Sequence, residues 1–217
     1  MLSEQFVAFA QLGAEWVLWL LILLSVISVG IMIDRAIWFQ KRDKDPEEFT
    51  RELRGAFERN ELERIETKYK NDLSVPVQVA LRGIAERDRG PEVVAEAMQA
   101  ERVRWRNAGE RHLIVLGTLG NNVPFLGLFG TVLGVINAFE NLRSKTAAAE
   151  DRTLDLIAQA LAATAFGLLV AIPAVIAFNY FTRKMRTVLG SADVAAHTVL
   201  AMVHARKNEA AAKKESA

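Results

Sequence analysis

Three long apolar stretches without a charged residue alternate with strongly charged segments along the chain. The stretches run over residues 16–33, 113–139 and 156–182. Because a helix needs roughly 20 apolar residues to cross the hydrocarbon of a bilayer, each stretch is close to or above the length of a span. The pattern predicts an all-α integral membrane protein with three transmembrane helices, whose long helices extend into a cytoplasmic helical domain.

The alternation also predicts where each segment begins and ends. The predicted segments are an N-terminal periplasmic or interfacial segment at 1–15, a first transmembrane helix at 16–38, a cytoplasmic helical domain at 39–111, a second transmembrane helix at 112–139, a periplasmic loop at 140–155, a third transmembrane helix at 156–182 and a cytoplasmic tail at 183–217. A signal peptide would need a basic start and a small-residue cleavage site, which the first stretch lacks. We therefore expect that stretch to remain as a span.

The basic residues near the span ends predict the orientation. None precedes the first span, whereas clusters follow the first span, precede the second and follow the third. The clusters are Arg35, Lys41, Arg42 and Lys44, then Arg102, Arg104, Arg106 and Arg111, then Arg183, Lys184 and Arg186. Because basic residues beside a span favour the cytoplasm, we expect a periplasmic N-terminus and a cytoplasmic C-terminus.

The charged region between the first two spans is rich in helix-forming residues and has equal numbers of acidic and basic side chains. Capping and turn residues predict where its helices start. The predicted starts are at Asp45, Asn60, Ser74 and Pro91. No breaker follows Pro91, so this last helix is predicted to run on into the second span. The Ala/Lys/Glu-rich end of the chain is predicted to fray.

The second apolar stretch contains many glycines and several polar side chains, which a helix facing only lipid does not need. Small residues let helix backbones approach closely, and polar groups inside a membrane mark a partner or a water path. We therefore predict an inner, pore-side helix. The candidate pore residues of this helix and the third span are Asn121, Asn122, Thr131, Gln159 and Thr164, and the candidate packing or kink residues are Pro124, Gly127, Gly130, Gly134, Gly167 and Pro173.

Each candidate also has a simpler structural explanation. A threonine in a membrane helix often bonds the carbonyl one turn back, and both candidate threonines are free to do so. The glycines are predicted to serve helix packing rather than ion contacts. The prolines are either tolerated kinks or kinks that open room for a partner, and the asparagines either bond between subunits or line a water path.

Composition narrows the chemistry. The chain has no cysteine and only three scattered histidines, so we expect no metal site and no cofactor. A formal net charge of +1 gives no argument for nucleic acid. No Asp, Glu, Lys, Arg or His lies inside the three stretches, and hydroxyls and amides do not titrate near neutral pH. If protons cross here, the titrating carboxylate must come from another chain.

Two motifs resemble a known family. The run PFLGLFGTVLG at residues 124–134 resembles the second-span motif of the TolQ/ExbB/MotA proton-channel family, closest to its TolQ and ExbB branch. The run ATAFGLLVAIPA at residues 163–174 is similar to the third span of the same family. The order of the three spans and the large insertion between the first two agree with this resemblance.

The resemblance implies a stator of the bacterial inner membrane. In that family, five copies of the subunit enclose two copies of an ExbD/TolR-like single-span partner, whose transmembrane Asp carries the proton. The motif threonines face the pore, which implies this role for Thr131 and Thr164. Members of the TolQ and ExbB branch have a Glu five residues before the third-span threonine, where this chain has Gln159.

Three functions are compared at this point. The first is a proton-conducting stator subunit, and the second is a non-conducting membrane scaffold for an envelope complex. A neighbouring gene for a single-span protein with a transmembrane Asp would favour the stator. An intramembrane enzyme has the least support, because no Ser/His pair, Asp pair or zinc-protease motif lies in a span.

Overall fold

The computed structural model describes residues 15–43, 47–143 and 146–215. The predicted segment at 1–14 and the predicted helix start at Asp45 therefore lie outside the described residues. The helices are α1 Glu15–Arg42, α2 Glu47–Glu58, α3 Leu62–Tyr69, α4 Val75–Ala85, α5 Pro91–Glu110, α6 Leu113–Leu142 and α7 Ala147–Glu215, with a short 3₁₀ helix Arg87–Arg89. Three candidate spans, in α1, α6 and α7, are long and apolar enough to cross a membrane, so the prediction of an all-α protein with three such helices is confirmed.

The chain divides into two compact units. The apolar unit comprises Met1–Asp34 and His112–Tyr180, and the charged unit comprises Arg35–Arg111 and Phe181–Ala217. Helices α1 and α7 contribute residues to both units.

The apolar unit has a small internal core and a large exposed apolar surface. Its core side chains come from all three helices and are Val17, Leu21, Leu119, Val123, Leu133, Val170 and Ala171. Each candidate span contains an apolar segment of 18 residues. Only 17% of this segment is buried in the first span, and 33% is buried in each of the other two. So much exposed apolar surface is typical of helices that face lipid or further protein chains.

The predicted helix starts at Asn60 and Ser74 have different outcomes. Asn60 has a φ of 59° and lies two residues after the end of α2, so it does not cap α3, whose N-cap is Glu61. Asparagine tolerates this left-handed conformation better than most residues, which explains its place in the turn. Ser74 does precede α4, but its side chain makes no capping bond. Its N–H instead donates to Asp72 Oδ1 at 2.7 Å.

The segment 140–155, predicted as a loop, is largely helical. Helix α6 continues to Leu142 and α7 begins at Ala147. The Asn141 amide links the two helices, because its Nδ2 donates to the Ala149 carbonyl at 2.6 Å and to Thr153 Oγ1 at 3.1 Å. Helix α7 then continues to Glu215, where a frayed tail was predicted, since Ala, Lys and Glu are strong helix formers.

The predicted single helix from Pro91 into the second span is interrupted. Helix α5 ends at Glu110 and α6 starts at Leu113. The Arg35 side chain, 4% exposed, donates to the carbonyls of Ala108 and Gly109 at 3.1 and 3.2 Å. These carbonyls belong to the last turn of α5, where no intrahelical N–H is left to bond them. The buried guanidinium supplies the missing donors and places a positive charge at the C-terminal end of the helix.

A second guanidinium and two indole rings lie beside Arg35 in the charged unit. Arg42 lies over the rings of Trp38 and Trp105, at 4.8 and 5.6 Å from their centroids. Burial, and then the charge of Arg35, lower the pKa of Arg42 from its ordinary value. The indole faces offset part of the cost of bringing two cations together.

Candidate functional site

Helices α6 and α7 touch through the backbone of two glycines. A Cβ on Gly127 would lie 2.9 Å from the Ala163 carbonyl oxygen and 3.1 Å from Thr164 Cα. A Cβ on Gly167 would lie 3.1 Å from both Gly127 Cα and the Val123 carbonyl oxygen. Because these neighbours are backbone atoms that cannot move aside cheaply, only glycine fits at either position.

The other two glycines of the second-span motif face alanines of α7. A Cβ on Gly130 would lie 2.8 Å from Ala163 Cβ, and a Cβ on Gly134 would lie 2.5 Å from Ala160 Cβ. The motif therefore forms one small-residue seam along α6, against which α7 places its own small residues.

The close approach brings the two candidate threonines together. Thr164 Oγ1 donates to the Gly127 carbonyl at 3.1 Å and lies 3.5 Å from Thr131 Oγ1. Thr131 Oγ1 donates to the Leu128 carbonyl at 2.6 Å, the local bond that the sequence left open. Both side chains are partly exposed in the single chain. The structure thus forms a threonine pair whose members lie 33 positions apart in the chain.

The chemistry available to the threonine pair is hydrogen bonding without charge. Each hydroxyl donates its one proton to a backbone carbonyl and keeps its lone pairs, so a partly exposed pair can accept hydrogen bonds from a water or from a partner's protonated carboxyl group. Neither hydroxyl can store or release a proton near neutral pH. The pair is suited to guide a titrating group that another molecule supplies.

The remaining polar candidates make no hydrogen bond to the threonine pair. Asn122 Nδ2 donates to the Thr118 carbonyl at 2.8 Å, and Thr118 Oγ1 donates to the Ile114 carbonyl at 2.9 Å. Asn121 and Gln159 are exposed and have no side-chain hydrogen bond within the described ranges. These side chains lie on surfaces that the single chain leaves open.

The two prolines lie inside helices that continue past them. Pro124 is in α6 and Pro173 is in α7. Because proline has no N–H, each leaves the carbonyl four residues earlier, at Gly120 and Leu169, without its intrahelical donor. The side of α6 at Gly120 is also crowded, since a Cβ there would lie 2.5 Å from a side-chain carbon of Val175.

Sequence reasoning missed an ionisable pair at the edge of the apolar unit. His112 Nδ1 lies 2.9 Å from Asp34 Oδ2. The signal was present, because Asp34 immediately follows the first apolar stretch and His112 immediately precedes the second. The chain leaves the first span and enters the second on the same side, so the residues that flank the two spans on that side can meet. Among the described residues, no group of three acidic or histidine side chains is placed to hold a metal ion.

Comparison with known proteins gives one consistent result. Residues 71–193, more than half of the chain, match the MotA/TolQ/ExbB proton channel family. The Tol-Pal system protein TolQ of Pseudomonas aeruginosa is 40% identical over 113 residues, which are 52% of this chain and 49% of that protein. The biopolymer transport protein ExbB of Xanthomonas campestris pv. campestris is 35% identical over 115 residues, 53% of this chain and 46% of that protein. The chain spans about half the length of these two curated relatives, and the family match contains both members of the threonine pair.

Proposed function

The chain belongs to the MotA/TolQ/ExbB proton channel family, and we propose that it is a proton-channel stator subunit of a motor in the bacterial inner membrane. It couples the proton-motive force to a single-span partner similar to ExbD or TolR. Through that partner it drives work in the cell envelope. The names of two relatives indicate the kind of work, since one is a Tol-Pal system protein and the other a biopolymer transport protein. Outer-membrane maintenance, transport and motility are all work of this class.

The threonine pair is the observation that carries the proposal. Thr131 and Thr164 lie on different helices, yet their hydroxyl oxygens come within 3.5 Å. The three apolar stretches contain no Asp, Glu, Lys, Arg or His, so the subunit supplies hydrogen bonds and the partner supplies the carboxylate. An Asp on a partner helix beside the pair would exchange its proton in a site that hydroxyls orient.

The proposal includes a ring of identical subunits, a pentamer, around the partner helices. The exposed apolar surface of the candidate spans supports further protein contacts besides lipid. The polar side chains of Asn121 and Gln159 then face either the central pore or a neighbouring subunit. The N-terminus is periplasmic and the C-terminus cytoplasmic in this arrangement, as the basic clusters predict.

The test is proton uptake by proteoliposomes that contain the chain and its co-expressed single-span partner. Thr164→Val and Thr131→Val keep the side-chain volume and remove one hydroxyl each. If each hydroxyl contributes one hydrogen bond of about 1–1.5 kcal/mol to the path, proton flux falls about tenfold in each variant. Thr164→Ser and Thr131→Ser keep the hydroxyl and serve as matched controls that retain most of the flux.

A non-conducting scaffold is the second candidate, and Gln159 favours it. This position is neutral where the TolQ and ExbB branch has a Glu, so the chain has no carboxylate of its own in the third span. Assembly with the partner but no proton uptake by the unaltered complex would support the scaffold. Full uptake in both valine variants would contradict the assigned role of the threonine pair. The mass of the solubilised complex, measured with its co-purified partner, tests the pentamer.

A further inference from the structure

The charged unit contains an apolar cavity that is separate from the threonine pair. Its volume is about 390 Å³, within the range of roughly 300–1,000 Å³ that is usual for small-molecule sites. The apolar part of the lining comes from α2, α3, α4 and α7 and includes Leu53, Phe57, Leu62, Ile84, Met202 and Val203. A cavity with such walls favours a ligand with an apolar body.

One face of α7 forms a wall of the cavity. It contributes residues with the i, i+3, i+4 and i+7 spacing of a single helix face, namely Val199, Met202, Val203 and Arg206. Lys207 follows directly and also lines the cavity. The helix therefore presents apolar side chains to the interior and two cations at one end of the same wall.

A second part of the lining, the lip, comes from the turn between α4 and α5, which adjoins Arg206 of α7. Gly90 has a φ of 99°, which a residue with a side chain rarely adopts, and it bends the chain between the 3₁₀ helix and α5. This turn brings Arg87, Asp88 and Arg89 to the lip of the cavity.

The arginines of this lip are already neutralised by carboxylates. Arg87 Nη1 donates to Glu66 Oε1 at 2.7 Å, and Arg89 Nη1 donates to Glu86 Oε2 at 2.9 Å. Asp88 is the one acidic side chain among the lining residues in the described ranges, and its Oδ2 lies 3.9 Å from Arg87 Nε.

Two cations of the α7 wall remain without such partners. Within the described residues, neither Arg206 nor Lys207 has an ion pair or a side-chain hydrogen bond. The nearby Glu61, which lines an adjoining cavity with Arg206, is engaged by Arg59 at 3.3 Å and Arg64 at 3.8 Å. An apolar cavity thus ends at two positive charges that the described residues do not neutralise.

We propose that this cavity binds a small amphiphilic anion, with its apolar chain inside and its carboxylate or phosphate head on Arg206 and Lys207. The apolar walls bury the body of such a ligand, and the cations hold the end that remains in water. The two head groups correspond to a free fatty acid and to an alkyl phosphate. This inference does not depend on proton conduction.

The methionines of the chain provide the readout. Four of the five methionines lie in the described residues. Met202 lines the cavity, and Met98 is buried beside Gly83, close to Val199 of the cavity wall. Met185 is buried beside Gly109 in the charged unit, and Met32 lies in α1 of the apolar unit. The full chain is labelled with ¹³C-methyl methionine in nanodiscs and titrated with octanoate, octyl phosphate, octanol or inorganic phosphate. We expect octanoate, octyl phosphate or both to shift the Met202 methyl signal saturably and to leave the signals of Met32 and Met185 in place. The head group that binds identifies the source of the ligand.

Charge-swap variants decide whether the two cations hold the head group. Arg206→Glu/Lys207→Glu is expected to weaken binding about tenfold, because it replaces two attractions by repulsions. Arg51→Glu/Arg54→Glu changes the net charge equally on the exposed side of α2, outside the cavity lining, and is expected to leave binding unchanged. Binding of octanol as tight as that of octanoate, equal weakening by both double variants, or no saturable shift of Met202 would each overturn the proposal.

Discussion

The two units of this molecule hold their helices together by opposite means. In the apolar unit, helices meet where side chains are missing, as at Gly127 and Gly167, whose Cα atoms leave no room for a Cβ. In the charged unit, long side chains bridge the helices, as Arg102 does to Asp193 and Lys184 to Asp43. Helix α7 takes part in both arrangements, with small residues in one unit and charged residues in the other.

The difference follows from the solvent of each unit. Lipid gives apolar helices no hydrophobic reason to associate, so close backbone packing and a few hydrogen bonds must stabilise their contact. Water gives the charged unit a hydrophobic core, and charged side chains surround that core at little cost. The threonine pair is a product of the first arrangement, because the hydroxyl of Thr164 reaches the Gly127 carbonyl only where the backbones touch.

The strongest way to break this comparison is to place a side chain in the seam. Gly127→Val adds a branched side chain at a position where even a single Cβ would lie 2.9 Å from the Ala163 carbonyl oxygen. We expect a loss of about 3 kcal/mol, the upper end for over-packing, together with dissociation of the ring that we propose. Thermal unfolding and size-exclusion chromatography of the solubilised complex measure both effects.

Gly30 provides the matched control for the seam. It lies in α1, and a Cβ there would meet no atom within 4 Å. Gly30→Val is expected to leave the fold of the single chain intact. Equal destabilisation by the two variants would show that glycine acts through helix flexibility rather than through the contact between α6 and α7.

The second test removes the cation at the end of α5. Arg35→Met leaves the carbonyls of Ala108 and Gly109 without their buried donor, and we expect a loss of about 2 kcal/mol, the range of hydrogen bonds to charged groups. Arg82→Met removes an exposed pair with Glu86 and should cost at most about 1 kcal/mol. Thermal unfolding gives both values, and faster hydrogen exchange near Leu113 in Arg35→Met alone would localise the effect. If the two losses are equal, the buried bonds of Arg35 do not stabilise the helix end.

The sequence predicted the apolar unit better than the charged unit. The bilayer sets the length of a span, and the small-residue motifs are recognised from local spacing. The three spans and the candidate residues Thr131 and Thr164 could therefore be predicted from the sequence. That the two hydroxyls would lie together depends on the register of α6 against α7. The sequence did not predict this, since neither helix fixes the register alone, and the resemblance to a family implied only that both threonines face a pore.

The misses come from contacts between residues far apart in the chain. The break between α5 and α6 has no glycine or proline, and it is the side chain of Arg35 that binds the freed carbonyls. Asparagine is a common helix cap, but Asn60 instead adopts a left-handed conformation in a turn. The cavity likewise needs the turn at Gly90 and helix α7 to come together, and no local pattern shows which distant segments will meet.

A third prediction sharpens the comparison at Gln159, a position where this chain departs from the pattern of the TolQ and ExbB branch. Gln159 is exposed in the single chain and has no hydrogen bond within the described ranges, so Gln159→Glu should fit without steric cost. We expect assembly to be unchanged and proton uptake to stay within about twofold, as for an exposed substitution. A large gain in uptake would show instead that the neutral residue attenuates the native channel.

The smallest effect concerns a three-residue network of the charged unit. Lys68 Nζ donates to both Glu52 oxygens at 2.6 Å, and Tyr69 Oη donates to Glu52 Oε2 at 3.2 Å. The bond from Lys68 is the main cause that lowers the pKa of Glu52. Burial, followed by the charge of Glu52 and its hydrogen bond, raises the pKa of Tyr69 above its ordinary value of 10.0. A group with a raised pKa contributes stability below its unfolded pKa, and this contribution is lost as pH rises through the folded pKa.

Glu52→Gln separates the two causes at Tyr69. The chain has two tyrosines, so the variant is made in a Tyr180→Phe background, where tyrosinate absorbance reports Tyr69 alone. Removing the carboxylate should move the pKa of Tyr69 down towards 10.0 but not all the way, because burial is the larger cause and remains. The loss of stability at alkaline pH starts near the unfolded pKa in both proteins, but in the variant it should be smaller and should end at a lower pH than in the Tyr180→Phe parent. An unchanged pKa of Tyr69 would mean that the ion pair with Lys68 already screens the charge of Glu52 completely. Surface ion pairs would then contribute less to the stability of the charged unit than their number suggests.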